Sequence, residues 1–128
     1  MRTADPDKIA RPARPEDEVV GVVGLGYVGL PLAVAFARRL RVYGYDASRD
    51  RVSELTRGFD RRREIPREDL LQPSLRFCAD IGGLRRCSTL IVAVPTPVSG
   101  SNTPDLSALK DASEKVGGIL RPGMMVVY

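Results

Sequence analysis

The sequence predicts an α/β fold in which helices cover both faces of one parallel sheet, a doubly wound arrangement. Short apolar, β-branched segments alternate with segments of helical period along residues 19–128, as is typical of parallel strands joined by helices. A glycine pattern, G-x-G-x-x-G, joins the first strand to the first helix. An acid, Asp46, ends the second strand about twenty residues further on. With right-handed crossovers, we expect a single domain with strand order 3-2-1-4-5.

The first half of the chain is predicted to hold two strand–helix pairs. They are, in order, a buried strand at 19–23, a helix at 28–40, a strand at 41–46 and a helix at 48–58. Pro31 is tolerated because it lies near the start of its helix. Ser48 is predicted to cap the second helix and Gly58 to end it.

The second half is predicted to continue the alternation. It holds a charged connection at 59–73 with a short helix at 67–71, a strand at 75–79, a brief helix at 80–84 begun by Asp80, a strand at 89–94, a helix at 103–118 and a strand at 124–128. Thr103 is placed to cap the long helix, Pro104 to take its first position and Asp105 to meet the positive end of its dipole. The inner face of that helix is predicted to consist of Leu106, Leu109, Ala112 and Val116.

Length and composition exclude several classes of protein. The 128 residues suffice for one domain, and no apolar run reaches the roughly 20 residues that a membrane-spanning helix needs. Residues 1–17 are rich in proline and charge and are predicted to be a disordered lead-in without the apolar core of a signal peptide. We therefore expect a cytoplasmic protein with no membrane partner.

The net charge of +4 comes mainly from arginine, which is densest at residues 57–64, RGFDRRRE. A nucleic-acid patch is one interpretation of this run. Acids flank it, so a solvated loop without a nucleic-acid partner is favoured. The net positive charge of the chain also suits a small anionic ligand.

The two cysteines, Cys78 and Cys87, lack the spacing of metal ligands, and the chain has no histidine. Both are predicted to be reduced structural thiols. We expect no metal site.

The glycine pattern favours a turn that holds a pyrophosphate, the fingerprint of a Rossmann-type dinucleotide site. Gly24 would permit the tight turn, Gly26 would let the backbone approach the phosphates, and Gly29 would let the helix pack closely. The amides of residues 25–28 would point at the anion, which the helix dipole also attracts. The alternative, a plain turn without a ligand, is disfavoured by the strand, helix and acid around it.

Further residues complete this predicted site. Asp46 can accept hydrogen bonds from the ribose hydroxyls of an adenosine and would repel a 2′-phosphate, so NAD is favoured over NADP. Arg51 would lean toward the ribose or lie in solvent, and both alternatives stay open. The segment at 94–97, VPTP, would form a second, rigid wall of the site across from the glycine turn, where Thr96 could offer a hydroxyl to the cofactor. The alternative is that this segment only ends the fourth strand.

Four segments together resemble the N-terminal NAD-binding domain of the UDP-glucose/GDP-mannose dehydrogenase family. They are VVGLGYVGLPLAVAFA, VYGYDASRDRVSEL, LIVAVPTPV and PDLSALKDASEKVGGILRPGMMVVY. The resemblance covers residues 18–128. The VPTP segment followed by PDL is similar to the bacterial UDP-N-acetylhexosamine branch, for which UDP-N-acetylglucosamine is the substrate we favour.

The resemblance implies an oxidoreductase that converts the C6 hydroxymethyl of a nucleotide sugar to a carboxylate with two NAD, for synthesis of surface polysaccharides. The residues expected to bind NAD are Gly24, Gly26, Tyr27, Val28, Gly29, Asp46, Arg51, Pro95 and Thr96. Glu64 matches a family glutamate to which we assign no role.

In this family the sugar-binding half, with its nucleophilic cysteine, lies later in the chain, and neither Cys78 nor Cys87 matches that cysteine. The resemblance therefore implies that this chain is truncated, binds NAD and catalyses nothing alone, with no catalytic residue of its own. The UDP-sugar would bind the missing C-terminal half, and the full-length enzyme is expected to be a homo-oligomer.

Other functions stay open on the sequence. Within the family they are the galactosamine and mannosamine versions of the UDP-N-acetylhexosamine enzyme, and the UDP-glucose and GDP-mannose 6-dehydrogenases. Outside it they include a dehydrogenase of the β-hydroxyacid group, which the VPTP and PDL segments disfavour, and a methyltransferase, which the prolines of PTP disfavour. A non-enzymatic NAD-sensing regulatory domain is a further alternative.

Overall fold

A computed structural model describes residues 17–128, which form a five-stranded sheet with parallel neighbours throughout. The strand order is β3-β2-β1-β4-β5, which confirms the predicted order and the doubly wound fold class. Its elements are β1 (Val19–Val23), α1 (Gly29–Ala37), β2 (Arg41–Tyr45), α2 (Arg49–Thr56), α3 (Arg67–Leu70), β3 (Leu75–Cys78), a 3₁₀ turn (Ile81–Leu84), β4 (Thr89–Val92), α4 (Ser107–Gly117) and β5 (Met125–Val127). The predicted lead-in lies, apart from its last residue, outside the described residues.

The central strand, β1, is buried along its whole length. Because side chains of a strand alternate between the two faces of the sheet, Val20 and Val22 pack into one core while Val19 and Val23 pack into another. Residues of α1 and α2 fill the first core, and residues of α4 fill the second. Cover on both faces explains why the strands are nearly continuous apolar runs.

Three local signals in the sequence are confirmed at the ends of elements. Ser48 caps α2, since its hydroxyl accepts a hydrogen bond from the Arg51 amide at 3.2 Å. Asp80 begins the 3₁₀ turn by accepting from the Gly82 amide at 2.8 Å. Gly58 follows α2 with a φ of +79°, a conformation that glycine adopts without strain.

The start of α4 differs from the prediction. The helix begins at Ser107, so Thr103 is not its cap and Pro104 is not its first residue. An isolated antiparallel bridge between Val98 and Pro104 holds this segment in a loop, and this pairing overrides the local helix-start signal. The Asp105 carboxylate accepts from the Ser107 amide at 2.9 Å, and hydrogen bonding by Ser107 lowers the pKa of Asp105.

Other boundaries differ by smaller amounts. The helix α1 ends at Ala37, before the predicted residue 40, and β4 ends at Val92, before the predicted residue 94. Leu106 was expected on the inner face of α4, but it precedes the helix and is 52% exposed.

Cys78 and Cys87 are free thiols. Burial is the main reason that the pKa of Cys78 rises to about 11 and that of Cys87 to about 12, so both remain protonated at neutral pH. Within residues 17–128, no group of three or more His, Cys, Asp or Glu side chains could hold a metal ion. No helix in that range is long and apolar enough to cross a membrane.

Candidate cofactor-binding site

The candidate site lies where the strand order reverses, at the carboxyl ends of β1 and β4. Ligands of open α/β sheets bind in the crevice at this position. A cavity of about 320 Å³ opens there, between the ends of three strands and one side of α4. Its lining consists of Val23, Gly24, Leu25, Gly26, Tyr45, Asp46, Ala47, Ala93, Val94, Pro95, Ala108, Asp111, Ala112 and Lys115.

A second cavity of about 270 Å³ lies on the other side of the glycine turn. The two cavities share four lining residues, Gly26 and the three residues 93–95, so they are adjacent. The second cavity is lined by Gly26, Tyr27, Val28, Arg62, Ala93, Val94 and Pro95.

Two of the three glycines of the turn are required by the protein's own packing, and the third is not. Gly24 has a φ of +99°, and a Cβ added there would lie 2.9 Å from the Ala93 carbonyl oxygen. A Cβ at Gly29 would overlap the Gly24 carbonyl oxygen, so this glycine lets α1 pack against the turn. A Cβ at Gly26 would meet nothing within 4 Å. Protein packing therefore does not require a glycine at 26, whereas a ligand that approaches the backbone closely would.

The first turn of α1 is suited to an anion. Val28 is the N-cap residue of this helix, and among the described residues its side chain makes no capping hydrogen bond. The first turn of the helix also contains no acidic residue. The leading amides of a helix lack partners within the helix, and the dipole adds positive potential there. Tyr27 and Val28 are 72% and 62% exposed beside these amides.

Asp46 follows β2 and lines the larger cavity, where the sequence predicted it. One carboxylate oxygen accepts from the Leu25 amide at 3.0 Å, and the other accepts from the Ser48 amide at 2.9 Å. The prediction that the Leu25 amide points at the anion is therefore wrong, because Asp46 takes its hydrogen bond. A carboxylate has about four acceptor positions, so these two bonds fix its orientation and leave capacity for ligand hydroxyls.

Arg51 is buried, so the solvated alternative for this side chain is wrong. Its Nε donates to the Leu25 carbonyl at 3.1 Å, and Nη1 donates to Asp60 at 2.9 Å. The remaining nitrogen, Nη2, has no hydrogen-bond partner among the described residues. Arg51 thus lies beneath the glycine turn and outside the lining of both cavities.

The wall after β4 contains the last two predicted site residues. Pro95 lines both cavities. Thr96 is exposed and lines neither of them. Glu64, whose position matched a family glutamate, is also exposed, and its amide donates to Asp60 at 3.0 Å.

Sequence reasoning missed part of the site. In α4, Asp111 and Lys115 form an ion pair of 3.0 Å beside the larger cavity, and Asp111 raises the pKa of Lys115. Ala108, Asp111 and Lys115 follow one another at spacings of three and four, which was a usable signal, since such residues share one helix face. Asp60 was also missed, because the run at 57–64 was interpreted as solvated, yet this acid is only 4% exposed.

The fold and the site define a dinucleotide-binding domain of the Rossmann type. Residues 18–128 match the model of the UDP-glucose/GDP-mannose dehydrogenase family, NAD binding domain. The chain therefore belongs to this family, and its cofactor is NAD.

Relatives with known names agree with this assignment. The chain is 43% identical over 114 residues to a UDP-N-acetyl-D-glucosamine 6-dehydrogenase of Pseudomonas aeruginosa, covering 88% of this chain and 27% of that protein. It is 35% identical over 119 residues to a UDP-N-acetyl-D-mannosamine dehydrogenase of Escherichia coli (strain K12), covering 84% and 26%. The chain thus spans about a quarter of the length of these relatives.

The fold is also that of a solved structure, the UDP-D-ManNAc dehydrogenase from Pyrococcus horikoshii. The TM-score is 0.77 at 33% identity, over 84% of this chain and 27% of that one.

Proposed function

We propose that this chain is the cofactor-binding part of an NAD-dependent dehydrogenase that oxidises the C6 hydroxymethyl of a UDP-N-acetylhexosamine to a carboxylate. The observation that carries the cofactor part is the open space over Gly26 between two cavities, with Asp46 at the edge of the larger one. UDP-N-acetylglucosamine is the proposed sugar, supported by 43% identity to named 6-dehydrogenases from two bacteria. A role in surface polysaccharide synthesis is part of the proposal.

The residues present fit NAD well enough for roles to be proposed. Because the amides of Gly24 and Leu25 already donate to Tyr45 and Asp46, the amides of residues 26–28 would bind the pyrophosphate. Asp46 would accept from the adenosine ribose hydroxyls. Bound NAD would supply an acceptor for hydride. The proposed contacts are Gly24, Gly26, Tyr27, Val28, Gly29, Asp46, Pro95 and Thr96, with Arg51 supporting the turn from below.

No residue of this chain is proposed to react with the sugar. Cys78 and Cys87 have raised pKa values and line neither cavity, so they are poor nucleophiles. Because the named relatives are about four times as long as the matched region, we propose that sugar-binding and catalytic groups belong to a further part of a longer protein. This part would also form the expected homo-oligomer.

The proposal is tested by NADH absorbance. Protein that contains this chain and the rest of its reading frame is supplied in turn with UDP-N-acetylglucosamine, its galacto and manno isomers, and UDP-glucose. Oxidation of a hydroxymethyl to a carboxylate removes four electrons, so two NADH per molecule of one sugar are expected. NADH from UDP-glucose alone would contradict the hexosamine proposal. NAD binding without NADH from any sugar would favour the NAD-sensing alternative.

A further inference from the structure

We propose that Asp60 is a positioning residue for the cofactor turn: it acts through Arg51, which sets the orientation of the Leu25–Gly26 peptide. The inference rests on NAD binding by this chain and is independent of which sugar is oxidised. Asp60 lies in the arginine-rich connection between α2 and α3, outside the turn and outside both cavities.

Asp60 has the contacts of a buried structural anion. Its side chain is 1% exposed and accepts four hydrogen bonds. One comes from Arg51 Nη1 at 2.9 Å, and the others come from the amides of Arg62, Glu64 and Ile65 at 3.2, 3.0 and 3.2 Å. Burial acts to raise the pKa of Asp60, but these hydrogen bonds outweigh it and lower the pKa, so the group is a carboxylate at neutral pH.

Arg51 connects Asp60 to the glycine turn. Its Nε donates to the Leu25 carbonyl at 3.1 Å, while Asp46 accepts the Leu25 amide at 3.0 Å. Leu25 is therefore held at both of its backbone polar groups by charged side chains of opposite sign. Since the peptide unit is planar and trans, a carbonyl of Leu25 that points at Arg51 makes the next amide, that of Gly26, point away from Arg51.

Gly26 lines both cavities, and the space over it is open. The direction of the Gly26 amide decides whether it can donate to an anion in the crevice. Loss of the Asp60 charge would leave Arg51 buried without its counter-ion, which is strongly unfavourable. Arg51 would then move toward water and release the Leu25 carbonyl, and the amide would lose its fixed direction.

The test compares Asp60→Asn with a matched control, Glu54→Gln. Glu54 and Arg61 also join α2 to this connection, with bonds of 2.8 and 2.6 Å, but this pair lies at the surface and does not touch the turn. Dissociation constants of NAD and of adenosine, which lacks the pyrophosphate, are measured for each variant of this chain by calorimetry and ligand-observed NMR. Melting temperatures are recorded in parallel.

Asp60→Asn is expected to lower the affinity for NAD by about tenfold and the affinity for adenosine by less than about twofold. Glu54→Gln is expected to change neither affinity. An equal loss for NAD and adenosine would overturn the inference, because a general loss of structure would produce it. Unchanged NAD affinity would also overturn it. If the Asp60→Asn variant unfolds, Arg51→Lys is used instead. This substitution keeps the positive charge but removes Nε, the donor to the Leu25 carbonyl. It must then lower NAD affinity without lowering adenosine affinity to the same extent. Failure of the unaltered chain to bind NAD would refute the cofactor site itself, whereas failure of the sugar assay would leave this inference standing.

Discussion

The two walls of the crevice are held in different ways. On the wall formed by β1, α1 and β2, contacts join separate elements of the fold. Gly24 donates its amide to the Tyr45 carbonyl at 2.8 Å, and Asp46 holds the amide of Leu25. These bonds fix the backbone of the turn before a ligand arrives, which reduces the cost of binding.

The opposite wall, between β4 and α4, is bonded within itself. Residues 95–107 are all exposed. The Ser99 amide donates to the Thr103 carbonyl at 2.9 Å, and the Asp105 amide donates to the Pro97 carbonyl at 2.7 Å. We therefore expect that substitutions in the β1 wall will lower NAD affinity strongly and that substitutions in the β4 wall will lower it less.

Gly29→Ala is expected to have the largest effect, because its Cβ would overlap the Gly24 carbonyl oxygen. The helix α1 must move away from the turn, so the free energy of unfolding should fall by about 1–3 kcal/mol, and NAD affinity should fall by more than about 100-fold. Urea unfolding and calorimetric titration measure both. The control is Gly117→Ala in α4, where a Cβ meets nothing within 4 Å; it should lose neither stability nor affinity.

Gly26→Ala separates ligand approach from packing. Since the new Cβ would meet no protein atom within 4 Å, the melting temperature should stay within error of the wild type. NAD affinity should fall by about 30-fold, roughly 2 kcal/mol, because the methyl group occupies space that the pyrophosphate needs. Unchanged NAD affinity would show that no phosphate lies against this residue.

Asp46→Asn should shift the preference between cofactors. The neutral amide accepts ribose hydroxyls less well and no longer repels a 2′-phosphate, so the ratio of NADP affinity to NAD affinity should rise by about tenfold. Titrations with both dinucleotides give the ratio. Asp50→Asn removes an exposed acid in the first turn of α2 and is expected to leave the ratio unchanged.

Thr96→Ala is expected to have the smallest effect, less than about threefold on NAD affinity, because Thr96 is exposed and lines neither cavity. The same titration measures it. A loss of tenfold or more would remove the contrast between the two walls, since it would mean that the β4 wall also holds a fixed contact to NAD.

The sequence allowed the strand order and the glycine turn to be predicted because both depend on short-range patterns. Apolar segments, Ser48 and Gly58 act through neighbours in the chain, and their predictions are confirmed. The start of α4 was wrong because Thr103 and Pro104 are the residues a helix start favours, yet the bridge to Val98 holds them in a loop.

Asp60 could not be predicted for a related reason. Its burial depends on a partner nine residues away and on three amides of its own connection. Nothing in the run at 57–64 indicates which acid will be buried and which will face water: Asp60 is buried, whereas Glu64 is exposed.

The double attachment of Asp46 has a consequence for how such a domain changes over evolutionary time. The Asp46 carboxylate accepts from the Leu25 amide and, under the proposed function, also accepts from the ribose hydroxyls. Cofactor preference and the rigidity of the turn therefore depend on the same residue. A lineage that drifts toward NADP must therefore either keep an acceptor at position 46, as asparagine does, or gain another acceptor for the Leu25 amide. Where residue 46 loses its acceptor, the substitution that supplies another would have to come earlier in the lineage than the change in preference itself.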